Sequence, residues 1–469
     1  MTSLGPAGKR RLSPSAAVVA VAALSLSLTG QAWAQSLPDA LVRVYQNNPQ
    51  LNAQRAQLRT VDENVPQALS GYRPQISAGV SAGINPLTTV FPDGSSVSTT
   101  LRPWMAGITI TQPLFNGFKT ANTVRQAESQ VRSGREALRL VEQNVFVLAV
   151  TAHMNVVADQ ALIEAQRANL TFLRETLGAT RKALEAGNVT PTDVAQAEAR
   201  LARGQSDLNA AEVQLAVDQA AYAQVVGAKP GRLLPAEPAD RLLPGTRDEA
   251  LAVSRKEHPA IVGASYDVNT AELAVHVAEA ALAPSISAVG NASRSVETDQ
   301  TLGTSRTDQA SILGQATIPI YDGGLAASQV RAAKESIGQA RFVLDQVRVQ
   351  TDTAIATAWV QNEGAKTAIR ASEAEVRAAT VALAGVSREH AAGQRTTLDV
   401  LNSEQDLTAA RARLIAAHRD RVISSFNLLA AVGRLDHKRL ELATPDYEPQ
   451  THYNQVRDAW HGLRTPDGR

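Results

Sequence analysis

Side chains that could carry charge or move a proton are spread thinly along this chain of 469 residues, except around two turns of matching sequence. Gly187-Asn188-Val189-Thr190-Pro191-Thr192-Asp193 and Gly393-Gln394-Arg395-Thr396-Thr397-Leu398-Asp399 each run from a glycine through hydroxyls to an aspartate, with His390 just before the second and Asn402 just after it. A glycine in the left-handed region closes a helix, and an aspartate in the first turn of the next helix meets the positive end of its dipole, worth about 0.3–1 kcal/mol. The chemistry on offer there is electrostatic, not covalent. Elsewhere the sequence has no glycine-rich phosphate loop, no nucleophile elbow and no His-Glu-x-x-His pair, and its eight histidines are scattered. With no cysteine there is no thiolate metal site, no cysteine nucleophile and no lipidated N-terminal cysteine. An enzyme, a cofactor and a bound metal are therefore not expected, and a formal charge of +1 leaves no electrostatic footprint for nucleic acid.

The elements that hold these turns are long. Between Pro113 and Pro191 the chain has no proline, and a continuous helix over about 117–186 would reach roughly 100 Å. Its apolar positions, Leu138, Val141, Val145, Leu148, Ala152, Val156, Ile163, Leu170, Leu173, Leu177 and Leu184, recur at steps of three and four, with Asp159, Gln166 and Thr180 on the missing beats. So narrow a stripe suits lengthwise packing against another long helix. A return helix over about 192–226 follows the turn.

The second half repeats the first. Asp248-Glu249-Ala250-Leu251 answers Pro38-Asp39-Ala40-Leu41, His258-Pro259 answers Asn48-Pro49, and Pro284-Ser285-Ile286-Ser287-Ala288 answers Pro74-Gln75-Ile76-Ser77-Ala78. Further on, Pro319-Ile320-Tyr321-Asp322-Gly323 answers Pro113-Leu114-Phe115-Asn116-Gly117, and Val432-Gly433 answers Val226-Gly227. A nearly constant offset across such landmarks marks a duplication. Each copy reads as short helix, helix, strand, strand, long helix, turn and helix. The first covers 35–227 (strand pair about 73–113), a proline-rich linker covers 228–246, and the second covers 247–435 (strand pair about 283–319, long helix about 324–391, return helix about 398–432). Pro66 should kink or shorten the second helix of the first copy. Asn85 to Thr100 reads as a loop, and the polar tail 436–469 as loosely held.

The strands alternate. Ile76, Ala78, Val80, Ala82 and Ile84 share one face of the first, Trp104, Ala106, Ile108 and Ile110 one face of the next, and Ala310, Ile312, Gly314, Ala316 and Ile318 one face of the last. At the N-terminus Lys9, Arg10 and Arg11 precede an apolar run from Ala16 to Leu28 and the small residues of Ala32-Trp33-Ala34, the pattern of a signal peptide (1–34) cleaved before Gln35. The alternative, an anchor helix, needs more than this run of about 13 residues. No later stretch is an unbroken run of 18 apolar residues, so entry into a membrane would be by strands. Four strands cannot close a barrel, and open edges cannot sit in lipid. An oligomeric barrel with the long helices as a hollow cylinder beneath it is one reading; a soluble β-domain set among helices is the other.

The signal peptide, the duplicated plan, the hinges Gln112-Pro113-Leu114-Phe115-Asn116-Gly117 and Ile318-Pro319-Ile320-Tyr321-Asp322-Gly323-Gly324, and the two turns together resemble the TolC-type outer-membrane efflux proteins, from about Leu37 to Gly433. The resemblance implies a mostly α protomer with a small β part: an internally duplicated long-helix α-barrel protomer that gives four strands to a shared trimeric 12-stranded transmembrane β-barrel. It implies a homotrimer in outer-membrane lipid, extending into the periplasm, working with a periplasmic adaptor and an inner-membrane transporter of RND or ABC type in multidrug efflux or type I secretion. It further implies a gate at the periplasmic tip. Carried over by position, Arg395 would reach Thr192 of a neighbouring protomer, Asp193 would pair with His390, where the best-known members have tyrosine, and Asp399 would form an acidic ring whose second position is here Asn402. Gly187, Pro191 and Gly393 would shape the tip turns, and Pro113, Gly117, Pro319 and Gly323 the strand-to-helix hinges. The rival reading is the periplasmic adaptor of such pumps, which needs one helical hairpin inside a lipoyl-like domain; two full copies with a strand pair each fit it poorly.

Overall fold

The computed structural model describes residues 35–299 and 303–468. The expected signal peptide, residues 1–34, lies outside the described residues.

Two helices of 67 residues dominate the chain, α4 (Lys119–Glu185) and α8 (Leu325–Ala391), each folded back on a return helix, α5 (Pro191–Val226) and α9 (Thr397–Ala431). At about 1.5 Å per residue each strut is roughly 100 Å long. Shorter helices precede them: α1 (Leu37–Asn47), α2 (Pro49–Asp62) and α3 (Asn64–Leu69) in the first copy, α6 (Arg247–Glu257) and α7 (Pro259–Glu279) in the second. The break between α2 and α3 falls at Glu63, three residues before Pro66, because the proline ring collides with the carbonyl four positions back, that of Asp62. The second copy has His276 at the equivalent place, and α7 runs on unbroken.

The strands form one antiparallel sheet in the order β1 (Gln75–Ala82), β3 (Ser96–Asn116), β4 (Ser285–Asp299), β5 (Gly303–Thr317), with β2 (Asn85–Val90) also paired to β3. The segment expected as a loop over Asn85–Thr100 is thus a hairpin. Leu87 stands opposite Thr99 and Val90 opposite Ser96, around a turn at Pro92-Asp93-Gly94. Pro86 sits in β2 on the edge of the sheet, where its missing N–H costs no ladder bond.

The core is a belt at mid-height. Val145, Phe146, Val150 and Val156 of α4 meet Leu41, Val44 and Tyr45 of α1, Leu51 and Leu58 of α2, Tyr222 and Val226 of α5, and Val422, Phe426 and Leu429 of α9. One 18-residue window of α4, of mean hydropathy 1.5, is apolar enough to cross a membrane by length and composition, although no run in it is unbroken; half of that window is buried inside the protein, as a core helix requires. Toward the tip the stripe continues through Ile163, Leu170, Leu173 and Leu177, all buried, and Asp159 and Thr180 are buried on their beats. Leu148, placed in the stripe by spacing, is half-exposed instead.

The tail is docked, contrary to the loose end expected from its polarity. His437 Nδ1 lies 2.7 Å from Glu142 of α4, its Nε2 lies 3.0 Å from Asp446, and the Tyr45 hydroxyl accepts from the Tyr447 backbone N–H at 3.0 Å. The Arg55 guanidinium stacks over Tyr45 and Tyr447 at 4.5 and 4.9 Å. A last helix, α10 (Pro449–Val456), buries Tyr453 against Val65, Ala127 and Val131, and His452 meets the buried Asp62 at 2.9 Å.

Candidate functional site

Both tips close in the same way. Gly187 and Gly393 take φ of +75°, and the N–H of the residue after each reaches back five positions, Asn188 to the Ala183 carbonyl and Gln394 to that of Glu389, both at 2.9 Å. This is the Schellman end of a helix. The next helices open with capping boxes. Asp193 accepts from the Thr190 N–H and hydroxyl, both at 2.8 Å, and Asp399 accepts from those of Thr396 at 2.9 and 2.8 Å. Those bonds, backbone first, hold both carboxyls below their usual range, so both are ionised at neutral pH. Pro191 occupies the first turn of α5.

The two tips face one another across a cleft of about 690 Å³ lined by Thr176, Asn188, Asp193, His390, Gly393 and Arg395 among others. The expected Asp193–His390 pair is not made within it. Nδ1 of His390 donates to the Arg395 carbonyl at 2.9 Å, which ties up the imidazole inside its own turn, while Asp193 is engaged by Thr190. The Arg395 guanidinium binds Glu389 at 2.9 Å, and Thr192 is exposed. Near the tip the two hairpins are joined by the buried contact of Leu173, Leu177 and Ala197 with Leu401 and by the side-chain hydrogen bonds of Arg200, absent from the sequence reading. From α5 it donates to Asn402 at 2.8 Å and to Gln405, both on α9. Arg200 lies two helical turns behind Asp193, a spacing visible in the sequence, but its partner is 202 residues away and only the fold brings the two together. Asn402, read as a neutralised ring position, thus works as an acceptor across the tip.

Higher up, the buried Asp159 of α4 faces Asp218 of α5. Burial first, and then the second carboxyl, push its pKa up to about 7 against the pull of Arg419 on α9. One oxygen of Asp159 has no hydrogen-bond partner.

At the other end the hinges turn strand into strut. Gly117 takes φ of +62° with its absent Cβ only 2.4 Å from the Cβ of Ala283, so no side chain fits there. Gly323 and Gly324 in the second copy share only the positive φ, +73° and +88°, with open space about them, and Asp322 accepts from the Gly324 and Ala326 N–H groups at 3.0 and 2.6 Å. Pro113 stands at a bulge between Pro113 and Phe115, and Pro319 follows the end of β5. The sheet above has two distinct faces. Ile110 pairs with Ile76 and Gly290, Ile108 with Ala78 and Ala292, and Ile312 stands beyond Gly290, giving an apolar face whose side chains are largely exposed in the single chain. The opposite face carries Ser77, Ser81, Thr109, Asn291, Ser293, Gln309 and Ser311 around a hollow of about 600 Å³. A sheet that is apolar outside and polar within its curve is a section of a water-filled transmembrane wall.

The sequence pattern of the family described as Outer membrane efflux protein matches residues 40–228 and 251–434, one copy each. This chain belongs to that family. It is 42% identical to the outer membrane efflux protein BepC of Brucella suis over 94% of this chain and 95% of the relative, and 25% identical to the alkaline protease secretion protein AprF of Pseudomonas aeruginosa over 73% and 72%. Among solved structures, the CmeC outer membrane channel of Campylobacter jejuni superposes with a TM-score of 0.74 at 15% identity, over 90% of this chain and 89% of that one, and VceC of Vibrio cholerae with 0.70 at 18%, over 85% and 96%. The chain is an outer-membrane exit duct of the kind that serves efflux pumps and type I secretion, and members of its family are channels and transport ducts, not enzymes. The adaptor reading falls with this membership.

Proposed function

We propose that three copies of this chain close one barrel and one periplasmic tunnel, forming a passive conduit gated at its helical tip. The observation that carries this is the set of surfaces a single copy leaves open. Among the described residues β1 and β5 are each paired on one edge only, and unpaired backbone groups cannot face lipid. Three copies of a wall four strands wide make about twelve strands, enough for an aqueous lumen. Along β5 and its hinge Ile312, Ile318, Ile320 and Tyr321 are 88%, 65%, 95% and 86% exposed, and on α8 so are Phe342, Val349, Val360 and Val381, at 66% or more. Where α4 is embedded in its own chain, α8 offers an apolar flank that a neighbouring protomer can cover.

The conduit has no energy source, so it is proposed to dock a periplasmic adaptor and an inner-membrane transporter of RND or ABC type at the tip. Arg395 and Asp399 are exposed or half-exposed there, and Asp399, repeated three times about a narrow axis, concentrates negative potential and favours cations. Arg395, released from Glu389, is the side chain proposed to reach Thr192 of the next protomer. The test is fractionation and electrophoresis: the protein should sediment with the outer membrane and migrate as a heat-modifiable trimer. A protomer that stays monomeric in mild detergent overturns the proposal. Deleting it in the source cell, then comparing drug susceptibility with the secreted proteome, separates efflux duty from secretion.

A further inference from the structure

The apolar face of the sheet ends in charge. Counting upward along β3 from Phe115, which the bulge at Pro113 turns onto this face opposite Ile286, the side chains are apolar apart from Gln112 as far as Trp104, while on β4 and β5 charge begins one row lower, at Arg294 and Asp308 beside Ala106. A strand tilted near 40° climbs about 2.5 Å per residue, so Phe115 to Trp104 spans roughly 25–30 Å, close to the apolar band of an outer-membrane barrel. Phe118 packs edge-on against Phe115, 5.4 Å between centroids, at the lower border, and Trp104 marks the upper one. Within one row of Trp104 on either side, on the same face, stand three arginines. Arg294 is opposite Ala106 and Asp308, Arg306 is opposite Val296, and Arg102 is opposite Thr298 one row higher.

Two of these share one carboxylate. Arg294 binds Asp308 at 2.5 Å through Nε, and Arg306 binds the same carboxylate at 3.0 Å through its own Nε. Arg102 is exposed and has no ion-pair partner among the described residues. Neighbouring strands lie about 4.8 Å apart and successive residues about 3.3 Å, so the three arginines start from a patch of backbone roughly 10 Å wide and 13 Å long that carries a surplus of two positive charges. The Thr298 and Thr304 hydroxyls, 3.3 Å apart, stand in the uppermost row beside Arg102. Arginine presents a planar fork that matches phosphate oxygens in pairs, and at the level of an aromatic girdle the groups facing a barrel sideways are lipid headgroups.

We propose that Arg102, Arg306 and Arg294 form a binding site for the phosphate of an anionic glycolipid in the outer leaflet, with Asp308 holding two of the arginines in place. The site anchors the rim of each protomer to that lipid, and it rests on the barrel reading given above. A chain whose strands merely met water would gain nothing from gathering three like charges at the edge of an apolar face.

The experiment is native mass spectrometry of the detergent-solubilised trimer with added diphosphorylated lipid A, enzymatically dephosphorylated lipid A, or inorganic phosphate. Wild type is expected to retain the phosphorylated lipid over the dephosphorylated one, and R102Q/R306Q to lose about tenfold or more of that preference, since each arginine near an anionic surface contributes on the order of 1 kcal/mol. R102K/R306K should recover part of it. Should the double variant fail to assemble, Arg102→Gln alone serves, because no ion pair is broken. Equal retention of the two lipids by wild type, or no loss in an intact variant trimer, overturns the inference, as does competition by inorganic phosphate alone at equal concentration, which would make this a plain anion site. A wild-type chain that forms no heat-modifiable trimer removes the barrel reading as well; an intact trimer indifferent to lipid phosphate removes only this inference.

Discussion

The Asp159–Asp218 contact makes a signed prediction. Asp159 lies on the buried stripe of α4, 9% exposed, where the heptad rhythm would place a leucine, and its pKa is pushed up to about 7 by burial and by the carboxyl of Asp218. An unfolded aspartate releases its proton near 3.8. Between those two values the folded protein binds more protons than the unfolded one, so stability falls as pH rises and levels off above about 7. One pH unit well inside that window corresponds to about 1.36 kcal/mol, so from pH 5.5 to pH 8 the wild type should lose up to about 2 kcal/mol per protomer through this group, less to the extent that solvent screens the pair. Asp159→Asn keeps the shape and the hydrogen-bonding capacity of the protonated acid and removes the titration. In urea unfolding of the detergent-solubilised protein, the variant should match wild type near pH 5.5 and exceed it by up to about 2 kcal/mol at pH 8. Parallel stability profiles for the two proteins across that range would refute the assignment, because the cost would then be independent of ionisation at Asp159.

The tip and the tail offer further tests. Arg200→Ala removes two hydrogen bonds between α5 and α9, each worth about 0.5–1.5 kcal/mol, and should raise single-channel conductance in planar bilayers. Arg395→Ala should do so by a different route, through the proposed contact with the neighbouring protomer, and an unchanged conductance would leave its Glu389 bond as a local one. Asp399→Asn retains an oxygen to cap Thr396 while removing three charges from the trimer axis, so the reversal potential in a salt gradient should move toward zero. His437→Gln addresses the clasp of the tail. Burial pulls the imidazole down, but Glu142 and Asp446 outweigh it and leave its pKa raised. Its contribution is thus complete below the ordinary histidine value and lost as pH rises through the folded one. Thermal unfolding should accordingly show a deficit of about 1.5–3 kcal/mol near pH 6 that shrinks by pH 9.

What could be read from sequence follows the range of the interaction responsible. The struts were legible to within two residues because their ends are set locally, by Gly187 and Gly393 in the left-handed region and by Thr190 with Asp193 and Thr396 with Asp399 in capping boxes. The duplication was legible because each landmark recurs in a fixed local setting. The hairpin over 85–100 was missed for the opposite reason. Pro86 and Pro92 are turn residues by composition, and only pairing with β3 makes an edge strand of them. The tail was misjudged because polarity argues for solvent only when polar groups lack partners, and Glu142, Asp62, Arg55 and Tyr45 come from helices about 300 to 400 residues away in sequence. The candidate gate divides along the same line. Caps within a turn were foreseeable, whereas the bond from Arg200 to Asn402 needs two hairpins side by side. Wherever a local partner can satisfy a polar group, as Thr190 does for Asp193 and the Arg395 carbonyl does for His390, it competes with any contact inferred by position alone, and here the local partner wins. The proposed gate is therefore expected to open by breaking contacts between hairpins and between protomers, because the bonds inside each turn are local and do not depend on where the hairpins stand.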